Sequence, residues 1–259
     1  MPKSESGIAN SGSHTSSYPE MVMTDGSIST ERRIRIGIVE DEPQMATLLS
    51  YNLERCGYVV DVMQRGDEAA SSLRTQRFDL IILDWMVPGL SGIELLRRLR
   101  DVPFTRTVPV IMLTARTTEL DIRRALDTGA DDFVGKPFSI ANLLQRVALI
   151  LARSARLRTA PNVCHGGISL DLQSRTATAS GTEIALSAAE CSLLELFLRN
   201  PNTPFTRQEM KHAVWGPDAD GSDSCIDQKV RRLSNRITAT GASFVVEPVA
   251  NDSYRYSVR

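Results

Sequence analysis

The stretch "FDLIILDWMVPG" occupies residues 78–89. From Phe78 to Leu83 only Asp79 is polar, so the run lacks the in/out alternation of a half-wet strand and reads as a strand covered on both faces. Such strands belong to parallel α/β sheets, whose ligands and chemistry gather at the carboxyl ends of the strands. The run ends on Asp84, before Pro88 and Gly89 turn the chain away, so this carboxylate stands where a functional group is expected.

Similar runs recur at regular intervals: "IRIGIV" (34–39), "YVVDVM" (58–63), "VPVIML" (108–113) and "DFVG" (132–135). Amphipathic segments near 43–55, 67–76, 91–100, 118–128 and 139–154 separate them, and Ser91 stands as an N-cap for the third. This rhythm predicts βαβ units wound into an α/β domain with a five-stranded parallel sheet over residues 33–154. Beyond a basic linker at 155–164 the pattern changes. Short weak runs precede three helical segments, and "SFVVEPV" (243–249) and "YRYSVR" (254–259) close the chain, so residues 165–259 read as a separate α+β domain. Residues 1–32 are rich in Ser, Gly and Thr and are expected to form a disordered arm.

Composition narrows the class. The 259 residues carry a formal charge of -1 with 42% hydrophobic content, which is globular and gives no global attraction to nucleic acid. Cys56, Cys164, Cys191 and Cys225 are far apart with no C-x-x-C pair, and the three histidines show no metal-like spacing, so a reducing compartment is expected. No apolar run reaches the roughly 18 residues of a membrane span, and the N-terminus lacks the apolar region of a signal peptide. A soluble, cytoplasmic protein with no membrane partner is the expectation.

In a doubly wound sheet every strand end faces one rim. Strand one ends in Glu40, Asp41 and Glu42, strand three in Asp84 and strand four in Thr114, while Lys136 follows strand five. Carboxylates brought together repel one another, and a hard cation such as Mg²⁺ relieves that cost. With a metal neutralising an incoming phosphoryl group, Asp84 can act as nucleophile and Lys136 and Thr114 can bind the new phosphate oxygens.

The motifs "VEDE" (39–42), "LDWMVPG" (83–89), "LTA" (113–115) and "GADDFVGKPF" (129–138), in this order and spacing, resemble the receiver domain of two-component response regulators, a flavodoxin-like fold. The resemblance implies Asp84 as phosphoacceptor, with Thr114 and Lys136 completing the catalytic set. It implies Mg²⁺ held by Asp41, Asp84 and the Met86 carbonyl, with Glu40 assisting through water. Thr114 and Phe133 become a switch pair, and the bond from Lys136 to Pro137 is expected to be cis. The phosphodonor would be a sensor histidine kinase, and the receiver would handle its own phosphoryl chemistry without being a turnover enzyme. A phosphoaspartate hydrolase is disfavoured, because Met86 stands where a second acid/base Asp would be needed.

In "SCIDQKVRRLSNRI" (224–237) the residues Ile226, Val230, Leu233 and Ile237 form one apolar stripe, and the other side presents Gln228, Arg231, Arg232 and Asn235. The Arg and Gln types match base edges, and Lys or Arg match phosphates. With "SAAECSLLELFLRNPNTPFTRQEMKHAVWG" (187–216) in front of it, the region resembles the winged-helix effector of the OmpR/PhoB family. That resemblance implies Asp227, Gln228, Lys229, Arg231, Arg232 and Arg236 as DNA contacts, promoter DNA and RNA polymerase as partners, and a homodimer formed on phosphorylation. Asp131, Asp132, Arg146 and Arg153 would then form crossed salt bridges between two receivers. Ser224, Ser234 and the wing "ANDSY" (250–254) depart from the family pattern, in which arginines and turn glycines are usual. An alternative therefore stands beside the transcription factor: a receiver whose divergent winged helix is a protein-interaction module.

Residues 163–259 contain ten Lys or Arg against eleven Asp or Glu, a net charge of -1. Few counterions are then released on binding, so the salt slope of DNA affinity is expected to be shallow. A slope implying about eight or more phosphate contacts per monomer would contradict this.

Overall fold

The strand Leu80–Asp84 (β3) is buried along its whole length, which demands a strand on each side and helices on both faces. A computed structural model supplies both; it describes residues 33–115, 118–216, 223–249 and 252–258, without the side chains of 119, 123 and 224. The N-terminal arm and the wing residues Ala250 and Asn251 lie outside the described residues. The strands Arg35–Val39 (β1), Val59–Met63 (β2), Val110–Thr114 (β4) and Asp132–Gly135 (β5) join β3 in a parallel sheet of order β2-β1-β3-β4-β5. The helices Pro43–Arg55 (α1), Gly66–Thr75 (α2), Gly92–Asp101 (α3), Glu119–Thr128 (α4) and Ile140–Thr159 (α5) connect the strands and cover the sheet.

Alternation along β3 divides the core. Leu80 and Ile82 pack with Leu49 and Leu53 of α1 and Leu143 and Val147 of α5. Ile81 and Leu83 pack on the opposite face with Leu73 of α2 and Leu95 and Leu96 of α3. Burial on both faces is what the unbroken apolar run encodes.

Helix α5 runs to Thr159, five residues past its expected end at 154. No Gly or Pro interrupts the chain before Pro161, and Leu157 is buried in the effector core, so packing extends the helix across the expected linker. Only residues 160–162 separate α5 from the next strand.

The effector begins with an antiparallel four-stranded sheet of Val163–His165 (β6), Ile168–Asp171 (β7), Thr176–Ala179 (β8) and Thr182–Ala185 (β9). Then follow helix Ala188–Arg199 (α6), strand Pro204–Thr206 (β10), helices Arg207–Trp215 (α7) and Asp223–Thr238 (α8), and the hairpin Val245–Val249 (β11) and Ser253–Ser257 (β12). Strand β10 pairs with β12; at three residues it is too short for a sequence signal. Capping boxes start α3 (Ser91 with Glu94), α6 (Ser187 with Glu190) and α7 (Thr206 with Glu209). The expected stripe of α8, namely Ile226, Val230, Leu233 and Ile237, is buried. Residues 33–259 form one compact unit, in which α8 packs against α4.

Gly92, the first residue of α3, lies where a Cβ would sit 2.0 Å from the Asp84 carbonyl oxygen. Only glycine lets α3 approach the end of β3 so closely. Gly92→Ala is expected to lower stability by about 1–3 kcal/mol or more in urea unfolding; an unchanged midpoint would contradict this packing.

Candidate functional site

The strand ends converge as the topology requires. β1 delivers buried Glu40 and exposed Asp41, β3 delivers buried Asp84, and β4 delivers buried Thr114. Lys136 arrives just after β5, at a cis peptide bond to Pro137. Its Nζ donates to Glu40 Oε2 at 2.8 Å and also to Asp84 Oδ2. The other Asp84 oxygen, Oδ1, accepts from the Met86 amide at 2.8 Å.

Glu40, Asp41 and Asp84 each offer a carboxylate oxygen within 4.8 Å of the others. One ammonium cannot neutralise three carboxylates. Burial pushes the Glu40 carboxyl above its ordinary range, Asp84 adds to the rise, and the Lys136 hydrogen bond only partly offsets it. Burial also pulls the Lys136 ammonium down, but its bonds to Asp84 and Glu40 outweigh that and leave its pKa raised. A compact set of hard oxygens with surplus negative charge suits a divalent cation, and Lys136 stays protonated to meet an anion. Phe133 lies half-buried on β5. Beside it a cleft of about 470 Å³ opens toward Trp215 and Cys225 of the effector.

Three of the four expected dimer residues, Asp131, Asp132 and Arg146, are engaged within the chain in this conformation. Asp131, fully buried, accepts from Arg100 Nη2 at 3.0 Å and from the Val110 amide at 2.9 Å. Its second oxygen accepts from the Ala189 amide of α6 at 3.1 Å, and its carbonyl accepts from Trp215 Nε1 at 3.0 Å. Asp132 pairs with Arg146 at 2.9 Å in the same receiver. Arg153 is buried, and its Nε and one Nη find no hydrogen-bond partner.

The expected DNA-contacting residues divide in the same way. Gln228, 5% exposed, donates to Asp127 of α4, and Lys229, 1% exposed, donates to the Ala130 carbonyl. Arg232 donates to the Leu126 carbonyl at 2.8 Å and pairs with Glu190 at 3.0 Å. Arg236 pairs with Glu190 at 2.9 Å. Asp227 is held by Arg207 at 2.8 Å and by the Tyr254 hydroxyl at 2.9 Å, which ties α8 to α7 and β12. Arg231 and Asn235 are exposed. The apolar stripe is therefore read correctly from sequence, while Gln228, Lys229 and Arg232 of the polar side are bonded to the receiver and Arg231 and Asn235 stay exposed.

Sequence reasoning missed Arg100, Asp127, Arg175, Glu190 and Trp215, which build this seam. Glu190 alone carried a usable signal, since Ser187 and Glu190 have capping-box spacing. Burial would raise its carboxyl, but Arg232, Arg236 and Lys229 outweigh that and hold it down to about 2.

The chain matches the family "Response regulator receiver domain" over residues 36–148 and "Transcriptional regulatory protein, C terminal" over residues 181–256. It is 40% identical over 220 residues to the phosphate regulon transcriptional regulatory protein PhoB of Rhizobium meliloti, covering 85% of this chain and 97% of that one. The PhoB of Escherichia coli is 34% identical over 225 residues, covering 87% and 98%. The transcriptional regulatory protein TrcR of Mycobacterium tuberculosis is 34% identical over 241 residues, covering 89% and 91%. The solved structure of a RitR mutant superposes with a TM-score of 0.71 at 21% identity, covering 87% of this chain and 99% of that one, which shows a shared fold.

Lys229 supplies a test of the seam. Burial lowers its pKa to about 8; Asp131 and Glu190 oppose the drop, and Arg232 and Arg100 reinforce it. Once freed from the seam it regains an ordinary value near 10.4. The docked form thus binds fewer protons, so docking is weakest below pH 8 and strengthens by about 3 kcal/mol as pH rises through that window. Cross-linking between α4 and α8 should increase from pH 7 to 9.5 in the wild type and stay level in Lys229→Met. A decrease with pH would contradict the assignment.

Proposed function

The chain belongs to the PhoB-type response regulators, a receiver joined to a DNA-binding transcriptional output domain, and from that premise we propose that phosphorylation of Asp84 releases α8 from the receiver to read promoter DNA. The observation that carries the reading is the meeting of Glu40, Asp41, Asp84 and Lys136 at the carboxyl rim of the sheet. A receiver implies a histidine kinase as partner, and this output domain implies promoter DNA.

In the proposed chemistry Asp41, Asp84 and the Met86 carbonyl, with Glu40 assisting, would hold Mg²⁺, which would offset the charge of the incoming phosphoryl group. An Asp84 oxygen attacks the phosphorus of the donor phosphohistidine, and the phosphorus–nitrogen bond breaks as the imidazole leaves. Lys136 then pairs with the phosphate oxygens, having lost part of its hold on the Asp84 carboxylate. The Thr114 hydroxyl turns toward the phosphate, and the Phe133 ring moves into the space that Thr114 leaves.

Phe133 is two residues from Asp131, so the switch is transmitted along β5 to the seam. The seam is poised to open because it buries the four cations Arg100, Arg153, Arg175 and Lys229, on which only the carboxylates Asp131, Asp132 and Glu190 act favourably among the described residues. Burial lowers the pKa of all four cations, the mark of a desolvation cost that pairing does not fully offset. Release frees Asp131 and Arg153 for pairing between two receivers, and the paired effectors bind repeated half-sites beside RNA polymerase in the cytoplasm. Among the described residues no helix is long and apolar enough to cross a membrane.

DNA binding measured with and without beryllofluoride and Mg²⁺ tests the proposal. The mimic should tighten binding by about tenfold or more in the wild type and have no effect on Asp84→Asn or after chelation of the metal. Equal affinity of the wild type in both states would refute phosphorylation control.

A further inference from the structure

A second cleft, of about 680 Å³, opens between α3, α4 and α8. Five arginines line it: Arg97 and Arg100 from α3, Arg124 from α4, and Arg232 and Arg236 from α8. The only acids in its lining are Asp101 and Asp127. Asp127 is already engaged by the Gln228 amide. Glu190 and Asp131 lie beneath, occupied by Arg232, Arg236 and Arg100.

Two features of the cleft exceed what a solvated basic surface needs. Arg100 and Arg232 converge on Gly129, whose missing Cβ would sit 3.1 Å from Arg100 Nε and 3.2 Å from an Arg232 Nη. Two guanidiniums, one from each domain, are thus brought close, so that the Arg232 charge weighs against that of Arg100 even though Asp131 and Glu190 pair with them from below. Exposed Arg97 and Arg124 stand at the mouth, and among the described residues neither guanidinium makes a hydrogen bond or ion pair. Beside them Leu120 is 75% exposed, an apolar platform at the rim of a cationic cleft.

We propose that this cleft binds a small oligophosphate, of the class of a nucleoside triphosphate or inorganic triphosphate, which bridges receiver and effector and locks α8 against the receiver. Guanidinium forks match phosphate oxygens in pairs, and several converging arginines suit a chain of phosphates better than a single one. Leu120 offers a surface for a base. Because the ligand touches arginines of both domains, it binds the docked form better than the open one and opposes release. The locking effect, though not the binding, rests on the reading of α8 as a DNA-binding helix.

Titration calorimetry of the full chain with ATP and with inorganic triphosphate, in buffer lacking Mg²⁺, tests the site. Arg97→Ala with Arg124→Ala, exposed residues of α3 and α4 outside the phosphorylation set, should weaken binding by about tenfold or more. Tighter binding of ATP than of triphosphate, lost in Leu120→Ser, assigns the nucleoside form; equal binding assigns the inorganic one. The ligand should also reduce the DNA affinity of the wild type while sparing that of the double variant. No binding at about 1 mM, or equal binding by the double variant, overturns the proposal, the second outcome placing the anion outside this cleft. Equal competition with DNA in both proteins overturns it too, by placing the ligand on the exposed face of α8. DNA binding without ligand is measured first, so its absence would count against the regulator reading and leave the oligophosphate titration intact.

Discussion

The buried carboxylate of Asp131 is bonded from both domains at once. With no exposure to solvent, it must have every lone pair answered, and it draws its donors from both domains: Arg100 and the Val110 amide in the receiver, the Ala189 amide in the effector. The Ala189 amide belongs to the first turn of α6, where unpaired N–H groups and the helix dipole favour a negative charge. The indole of Trp215 closes on the carbonyl of the same residue. Removing this carboxylate would strand Arg100 and free the start of α6 at once, so the docking of effector on receiver has little tolerance for partial change.

Position along the chain makes that constraint useful. Asp131, Asp132, Phe133 and Lys136 fall within six residues, on or beside β5. One end of this short segment touches the acidic rim, and the other touches the effector. A strand this short, packed against β4, cannot shift at Lys136 without consequence at Asp131, which gives the proposed switch a physical route. The surplus of buried cations works in the same direction. The seam is specific in its hydrogen bonds yet costly in its electrostatics, a combination that suits the proposed control of docking from Asp84.

Much of this was legible in the sequence because it is periodic or local. The β3 run announces a strand buried on both faces, the strand ends announce the rim, and the α8 stripe announces which of its faces meets a core. The seam was not legible, because it depends on residues far apart in the chain whose side chains look like ordinary surface polars. Gln228 meets Asp127 across about a hundred residues, and nothing near either one signals the other. Lys229 reads as a phosphate contact by type and position, yet it is buried under Ala130. Arg232 and Arg236 divide their donors between Glu190 and backbone carbonyls, so a basic helix face turns out to be partly internal structure. The extension of α5 to Thr159 has the same cause, since tertiary packing on Leu157 decides where the helix stops.

Phosphorylation chemistry at Asp84 is proposed to control the docking of effector on receiver. The native cysteines provide a direct measure: Cys56 on the receiver and Cys164 on the effector are exposed, while Cys191 and Cys225 are buried. Nitroxides on Cys56 and Cys164 allow the distance between the domains to be read by pulsed electron paramagnetic resonance. The unmodified protein should give one narrow distribution, and beryllofluoride with Mg²⁺ should broaden it or move it to a new distance, with no such change in Asp84→Asn. One narrow distribution unchanged by the mimic, in protein shown to carry it, would contradict the claim.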